Sequence, residues 1–190
     1  MAAPRVHTIE GIVLKRKNYG EGDRIITLFT KEYGKIRVVG RGVRKITSRR
    51  ASHLEVFARV TAVIHTGKSM DSITEVSSLS HYEGIRTNLT KVSVAYYLTE
   101  LIDSLLAEKQ EHRDVYALYM AALEALAEAE ERSIYRVSTE FTVTLLRMLG
   151  FLSEDRNLKG SDLPPFIESI TERKMKSSEF ARLLVPKAKS

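Results

Sequence analysis

Arg24-Ile25-Ile26-Thr27-Leu28-Phe29-Thr30-Lys31-Glu32-Tyr33-Gly34-Lys35-Ile36-Arg37-Val38-Val39-Gly40 holds two β-branched runs separated by a Tyr-Gly break. Short runs of this kind on either side of a glycine turn predict two strands of a hairpin. The same pattern extends outward in both directions, to Val6–Lys17 before the hairpin and to Val56–Thr66 and Met70–Ser80 after it. Further breaks fall at Gly20/Gly22 and at Thr66-Gly67-Lys68, so five strands are expected within the first 80 residues. Five short antiparallel strands must hide their edges, and a small closed or partly closed barrel does this economically. An OB-type barrel fits best; an SH3-like barrel has a similar strand count, and periodicity alone does not separate the two. The long connection Arg41–Leu54 is polar and basic.

After Gly84 the hydrophobic period changes. Leu89, Val92, Tyr96, Leu101 and Leu105 recur at helical spacing, as do Val115, Leu118, Tyr119, Ala122, Leu123 and Leu126. A third helix is expected from Ser133, read as its N-cap, through Phe141 and Leu145 to a stop at Gly150. Leu152–Pro165 reads as a loop, because Pro164 and Pro165 cannot lie in a helix interior. The expected fold class is therefore α+β: an N-terminal five-stranded OB-type β-barrel over residues 1–82, then an α-helical domain over 83–190.

Composition narrows the chemistry. The chain has no cysteine, which excludes disulfides, thiol catalysis and cysteine-ligated metal. It has no apolar run long enough to cross a membrane, and Met1–Val6 lacks an apolar signal core, so a cytoplasmic location is expected. Gly67-Lys68-Ser69 resembles the end of a phosphate-binding loop, but position 62, where that motif requires glycine, is Ala62. Gly20-Glu21-Gly22-Asp23 reads as a tight turn, since its acids repel phosphate and are too few for a calcium loop. The five histidines show no metal-ligand spacing, and no Gly-x-Ser-x-Gly elbow occurs. The expectation is a protein that is not an enzyme and carries no cofactor or metal.

Charge points to a partner. Residues 1–80 hold 15 Lys and Arg against 7 Asp and Glu, while the remaining residues hold 15 against 17. The attraction for a polyanion therefore lies in the first half. From Lys31 to Arg50 eight cations stand against one acid, Glu32. Solvated faces normally mix signs, and this one does not. On a strand from Lys35 to Gly40, Lys35 and Arg37 fall on one face and Ile36 and Val38 on the other. Gly40 and Gly42 around Arg41 would let a phosphate approach the main chain. Tyr19, Tyr33 and Phe57 are nearby stacking candidates. The candidate DNA-binding residues are Lys35, Arg37 and Arg41, with Arg44, Lys45, Arg49 and Arg50 on the loop beyond. Binding through about five phosphate contacts to a single strand predicts a log K against log salt slope of about −3.5.

Several segments together resemble the bacterial RecO family of recombination mediators: Glu10–Lys15, Tyr19–Thr30, Gly34–Arg37, Arg41–Arg44, His53–Phe57, Tyr96–Asp103 and Leu145–Phe151. The resemblance implies an OB-fold followed by a helical domain, and binding of single- and double-stranded DNA without sequence preference. It further implies annealing of complementary strands and partnership with RecR and single-stranded-DNA-binding protein. RecA is then loaded onto the single strand, without nucleotide hydrolysis by the family member itself, in association with the nucleoid. The family's basic strand residues correspond to Lys35, Arg37 and Arg41. Many RecO proteins carry a cysteine-rich zinc finger where Leu152–Pro165 lies, so a shortened, zinc-free variant is expected, with Phe166–Leu184 resembling the family's final helices. The rival expectation is an interaction adaptor whose basic face binds an acidic protein without touching DNA; a second rival, a hydrolase or nuclease, would need a carboxylate-metal cluster that the sequence does not display.

Overall fold

The structure, a computed structural model, describes residues 5–156, 158, 160–172, 175 and 177. It divides into two compact units. The first comprises residues 1–81 together with 106–116, and the second comprises 82–105 and 117–190.

In the first unit five strands, β1 (Val6–Tyr19), β2 (Asp23–Thr30), β3 (Gly34–Gly40), β4 (Arg59–His65) and β5 (Ser72–Ser80), close into a barrel in the order β1-β2-β3-β5-β4. All neighbours are antiparallel except β3 and β5, which run parallel where Val39 faces Ser72. The Val39 N–H donates to the Asp71 carbonyl at 2.8 Å and secures that junction. This pairing makes the barrel OB-type and resolves the alternative that strand counting left open.

β1 is long enough to serve two neighbours. Residues 6–12 pair with β4 and residues 11–19 with β2, with a register shift between Val13 and Lys15. The extra residue, Leu14, breaks the period-2 alternation, so Ile12, Val13 and Leu14 are all buried in succession. Such a bulge bends the strand, as closure of a five-stranded barrel requires. The interior is filled by Ile9, Val13, Ile26, Leu28, Ile36, Val38, Val60, Ile64 and Ile73 from the strands. Val43 and Leu54 join it from the connection after β3. The fourth strand begins at Arg59 rather than Val56 because Phe57 takes φ +75° and its N–H donates to the Val13 carbonyl at 2.9 Å, ending the turn before the strand.

Residues 106–116 lie along the start of β3. Glu108 forms a parallel bridge with Lys35, and the Lys109 N–H donates to the Lys35 carbonyl at 2.8 Å. Gly34 takes φ +63°, and a Cβ there would lie 1.8 Å from the Gln110 carbonyl oxygen. Tyr116 completes the attachment: its ring lies 5.6 Å from that of Phe29, and its hydroxyl donates to Glu10 at 3.1 Å.

The second unit is helical, built on α1 (Glu83–Arg86), α2 (Leu89–Leu105), most of α3 (Arg113–Glu128), α4 (Ile134–Met148) and α5 (Leu163–Thr171). Leu98 and Leu101 of α2, Tyr119 and Leu123 of α3, and Phe141 and Leu145 of α4 are all fully or nearly fully buried. Asn88 accepts from the Thr90 and Lys91 N–H groups and caps α2. Ser133 does not cap α4 through its side chain; it lies in a 3-10 turn, Glu131–Ser133, that runs directly into the helix. The expected stop at Gly150 is present. Gly150 takes φ +76°, its N–H donates to the Arg147 carbonyl, and the Phe151 N–H donates to the Leu146 carbonyl, which is a Schellman closure. Pro164 and Pro165 open α5 instead of preceding it, because the first turn of a helix needs no N–H from them. The expectation of a final helical segment running to Leu184 lies outside the described residues beyond 177. Among the described residues no helix is long and apolar enough to cross a membrane.

Candidate nucleic-acid interface

Three connections meet at one end of the barrel: the β1–β2 turn, the loop Arg41–Leu54 after β3, and the Thr66–Asp71 turn between β4 and β5. Chain geometry brings them together. The Gly42 N–H donates to Asp23 Oδ1 at 2.7 Å, the Arg44 N–H to the Gly22 carbonyl at 2.9 Å, and Arg44 Nη1 to the Gly20 carbonyl at 3.1 Å. Gly20 and Gly42 both take positive φ, +55° and +65°, a turn backbone that residues with a Cβ rarely adopt. The Thr66–Asp71 turn is tied by the Gly67 N–H to Asp71 Oδ1 at 3.0 Å. Gly67-Lys68-Ser69 is therefore a capped hairpin turn.

An open cleft of about 820 Å³ lies at this end, lined by Arg5, Arg41, Arg50, His65, Lys68 and Met70 with neighbouring backbone. A shallower depression continues along the loop past Lys45, Arg49 and Arg50. Arg16, Arg37, Arg59 and Arg113 are ion-paired with Glu55, Glu108, Glu10 and Glu111, and none of these four pairs involves a cation from Arg41 to Arg50. From Tyr33 to Leu54 the chain carries no acid at all. The result is a concentration of positive charge on a braced surface, suited to phosphate.

Two consecutive stretches match family models described as "Recombination protein O N terminal", over residues 1–82, and "Recombination protein O C terminal", over residues 86–154. The chain belongs to the RecO family. It is 37% identical over 122 residues to a protein named DNA repair protein RecO from Roseiflexus sp. strain RS-1, a match covering 64% of this chain and 43% of that one. Like-named proteins of Symbiobacterium thermophilum and Moorella thermoacetica are each 32% identical, over 146 and 162 residues. Those matches cover 77% and 83% of this chain and 57% and 61% of theirs. The chain thus spans roughly half the length of these RecO relatives.

The residues singled out in this RecO-family chain separate into three groups. Arg41, Arg44, Lys45 and Arg49 are exposed at the barrel end just described. Arg50 is there too, but its guanidinium faces inward onto the backbone: Nη2 donates to the Arg41 carbonyl at 2.7 Å, and Nη1 to the Ile73 and Thr74 carbonyls at 3.0 and 3.3 Å. It staples the loop to β5. Lys35 and Arg37 sit toward the opposite end of β3, about 13 to 20 Å along the strand from Arg41.

The open charged face expected for β3 is not formed. Lys35 is only 7% exposed, beneath the segment that carries Glu108 and Lys109, and Arg37 Nε is paired with Glu108 at 2.8 Å. Val39, on the same face, is also buried, so only Arg37 of this strand reaches solvent. The expected phosphate approach at Gly40 and Gly42 is closed as well. Gly40 is buried against Val43, and the Gly42 N–H is taken by Asp23. Of the expected stacking groups, Tyr19 is 55% exposed beside the β1–β2 turn. Phe57 is core, and Tyr33 packs on His7 with ring centroids 5.0 Å apart.

Sequence reasoning missed Arg5, His65 and Lys68. The signal lay in pairing rather than proximity. Val6 faces His65 across the β1–β4 ladder, and the Thr66 N–H donates to the Arg5 carbonyl at 2.8 Å. Closure of the barrel therefore brings residues some 60 positions apart to the same cleft. Among the described residues no group of three or more His, Asp or Glu side chains is placed to hold a metal ion.

Proposed function

We propose that this chain is a DNA repair mediator that binds DNA at the three-loop end of its barrel and performs no bond-making chemistry of its own. The observation that carries this reading is the convergence of Arg5, Arg41 and Lys68 around one cleft, with Lys45 and Arg49 along the adjoining depression, all braced by Arg50. The relatives named DNA repair protein RecO support it. Contacts of this type grip the phosphate backbone without reading base edges, so both single and double strands are substrates and sequence preference is weak. Neutralising the phosphates of two complementary strands lowers their mutual repulsion and speeds annealing without ATP. Under the same reading the helical unit supplies docking surface for RecR and single-stranded-DNA-binding protein, and the pathway leads to RecA loading. Arg37, exposed but paired, is an auxiliary contact; Lys35 acts on barrel stability.

The test is fluorescence anisotropy of a labelled naked oligonucleotide from about 50 to about 300 mM salt. Each lost phosphate contact should flatten the log–log slope by about 0.7. Arg41→Ala and Lys68→Ala should each do so. Equal slopes for wild type and both variants would remove the site, and no binding to naked oligonucleotide would favour an adaptor for an acidic protein instead.

A further inference from the structure

Ile46 is the most exposed large apolar side chain among the described residues of the barrel unit, at 105% of its reference surface. It stands in the turn Lys45–Ser48, which the Ser48 N–H closes onto the Lys45 carbonyl at 2.9 Å. Central turn positions favour proline, glycine, asparagine, aspartate or serine for backbone reasons that isoleucine does not meet. Nor does packing account for it, because the loop's contribution to the core is made by Val43 and Leu54, at 1% and 0% exposure. The fold makes no use of this side chain.

Its support is stiff. One foot of the loop is held by Gly42 on Asp23 and Arg44 on Gly20 and Gly22, and the other by Arg50 on Arg41, Ile73 and Thr74. Arg44 and Lys45 precede Ile46, and Arg49 follows it. Exposed apolar side chains also mark the other two connections at this end: Tyr19 beside the first turn and Met70 within the second, 55% and 37% exposed. Two of the three connections, the Arg41–Leu54 loop and the Thr66–Asp71 turn, thus pair cation with apolar surface, and the third adds the Tyr19 ring.

We infer that Ile46 is a wedge that inserts between successive bases of a bound single strand, while the cations on either side hold the phosphates. This rests on the nucleic-acid reading above. Charge complementarity selects the occupant: the loop is free of acid, so its partner is a polyanion, and its exposed tip is apolar, so that polyanion carries apolar faces between its charges. A single strand of nucleic acid has this alternation of phosphate and base. Apolar side chains are known to part stacked bases in this way, and contact with a base face tolerates any sequence. A strand held with its bases unstacked is open to pairing with a complement.

The experiment uses an oligonucleotide containing 2-aminopurine, whose fluorescence rises when its neighbours unstack, with the wild-type chain, Ile46→Ser and Ile46→Met. The wild type should raise the fluorescence on binding. Ile46→Ser should bind about five- to thirtyfold more weakly, with the salt slope unchanged and the fluorescence rise lost at saturation. Ile46→Met should restore both. An Ile46→Ser variant with wild-type affinity and wild-type fluorescence would overturn the inference, as would a flattened salt slope or Ile46-dependent binding to phosphatidylserine vesicles in place of the oligonucleotide. If the wild type binds no oligonucleotide, the nucleic-acid reading itself falls. Because Ile46 packs against nothing in the core, unchanged thermal melting of both variants is expected and reports that the fold is intact.

Discussion

Arg50→Ala separates a cation that touches DNA from one that builds the surface. The Arg50 guanidinium makes two well-formed bonds, at 2.7 and 3.0 Å, and a longer one at 3.3 Å, all to backbone carbonyls of Arg41, Ile73 and Thr74. Charged hydrogen bonds contribute about 1.5 to 3 kcal/mol each when buried. These are partly exposed, so a value near the lower limit for the two good bonds, and little for the third, gives about 2 to 3 kcal/mol. Removing the side chain should therefore lower the barrel's melting temperature by roughly ten degrees or more, since about 1 kcal/mol moves a domain of this size by 4 to 8 degrees. Amide exchange across residues 40–54 should accelerate with it. Arg50→Lys keeps the charge but replaces the fork with a point donor, and should recover less than half of the loss. The salt dependence of oligonucleotide binding, measured on folded protein well below the melting transition, should change in affinity but scarcely in slope. An Arg50→Ala protein that melts like the wild type and flattens the slope by about 0.7 would refute the staple and make Arg50 a phosphate ligand.

Gly34→Ala should be among the most damaging single-methyl changes, on the order of 3 kcal/mol by denaturant unfolding, because it combines a φ of +63° with a Cβ 1.8 Å from the Gln110 carbonyl. Glu108→Gln removes the partner of Arg37 from a pair exposed by 58% and 42%, so stability should change by less than about 0.5 kcal/mol while oligonucleotide affinity rises about twofold at low salt. Lys35→Ala should do the opposite, lowering the melting temperature without altering the salt slope. In the helical unit, burial pushes the Tyr97 hydroxyl up to about 12, against a lowering hydrogen bond from Thr142, and raises that of Tyr119 as well. The unfolded chain ionises near pH 10 while the folded one keeps these protons, so stability is intact below pH 10 and is lost above it. The slope should reach about 1.4 kcal/mol per pH unit for each tyrosine, falling away for Tyr97 near pH 12, and Tyr97→Phe should reduce it in alkaline unfolding titrations.

The sequence by itself determined what depends on near neighbours. Short β-branched runs set off by turns, most of them glycine-marked, pointed to all five strands, and the change to helical spacing marked the second unit. Glycine at position 150 marked the end of α4, because only a residue tolerant of positive φ closes a helix there. The acid-free run after Tyr33 was visible as composition. Alternation states which side chains face away from a barrel core, but not what else covers the outside. Tertiary structure alone placed Glu108 and Lys109, some seventy residues later in the chain, over Lys35 and against Arg37. It alone turned Arg50 inward onto carbonyls, paired β3 with β5 to make the barrel OB-type, and carried Arg5 and Lys68 into one cleft with Arg41. A lysine or arginine has a long flexible stem, and its sequence neighbours leave open whether its charge meets solvent, a carboxylate or the backbone. That choice is made by segments distant in the chain, and here it moved the centre of the candidate interface from the β3 strand to the loops at its end.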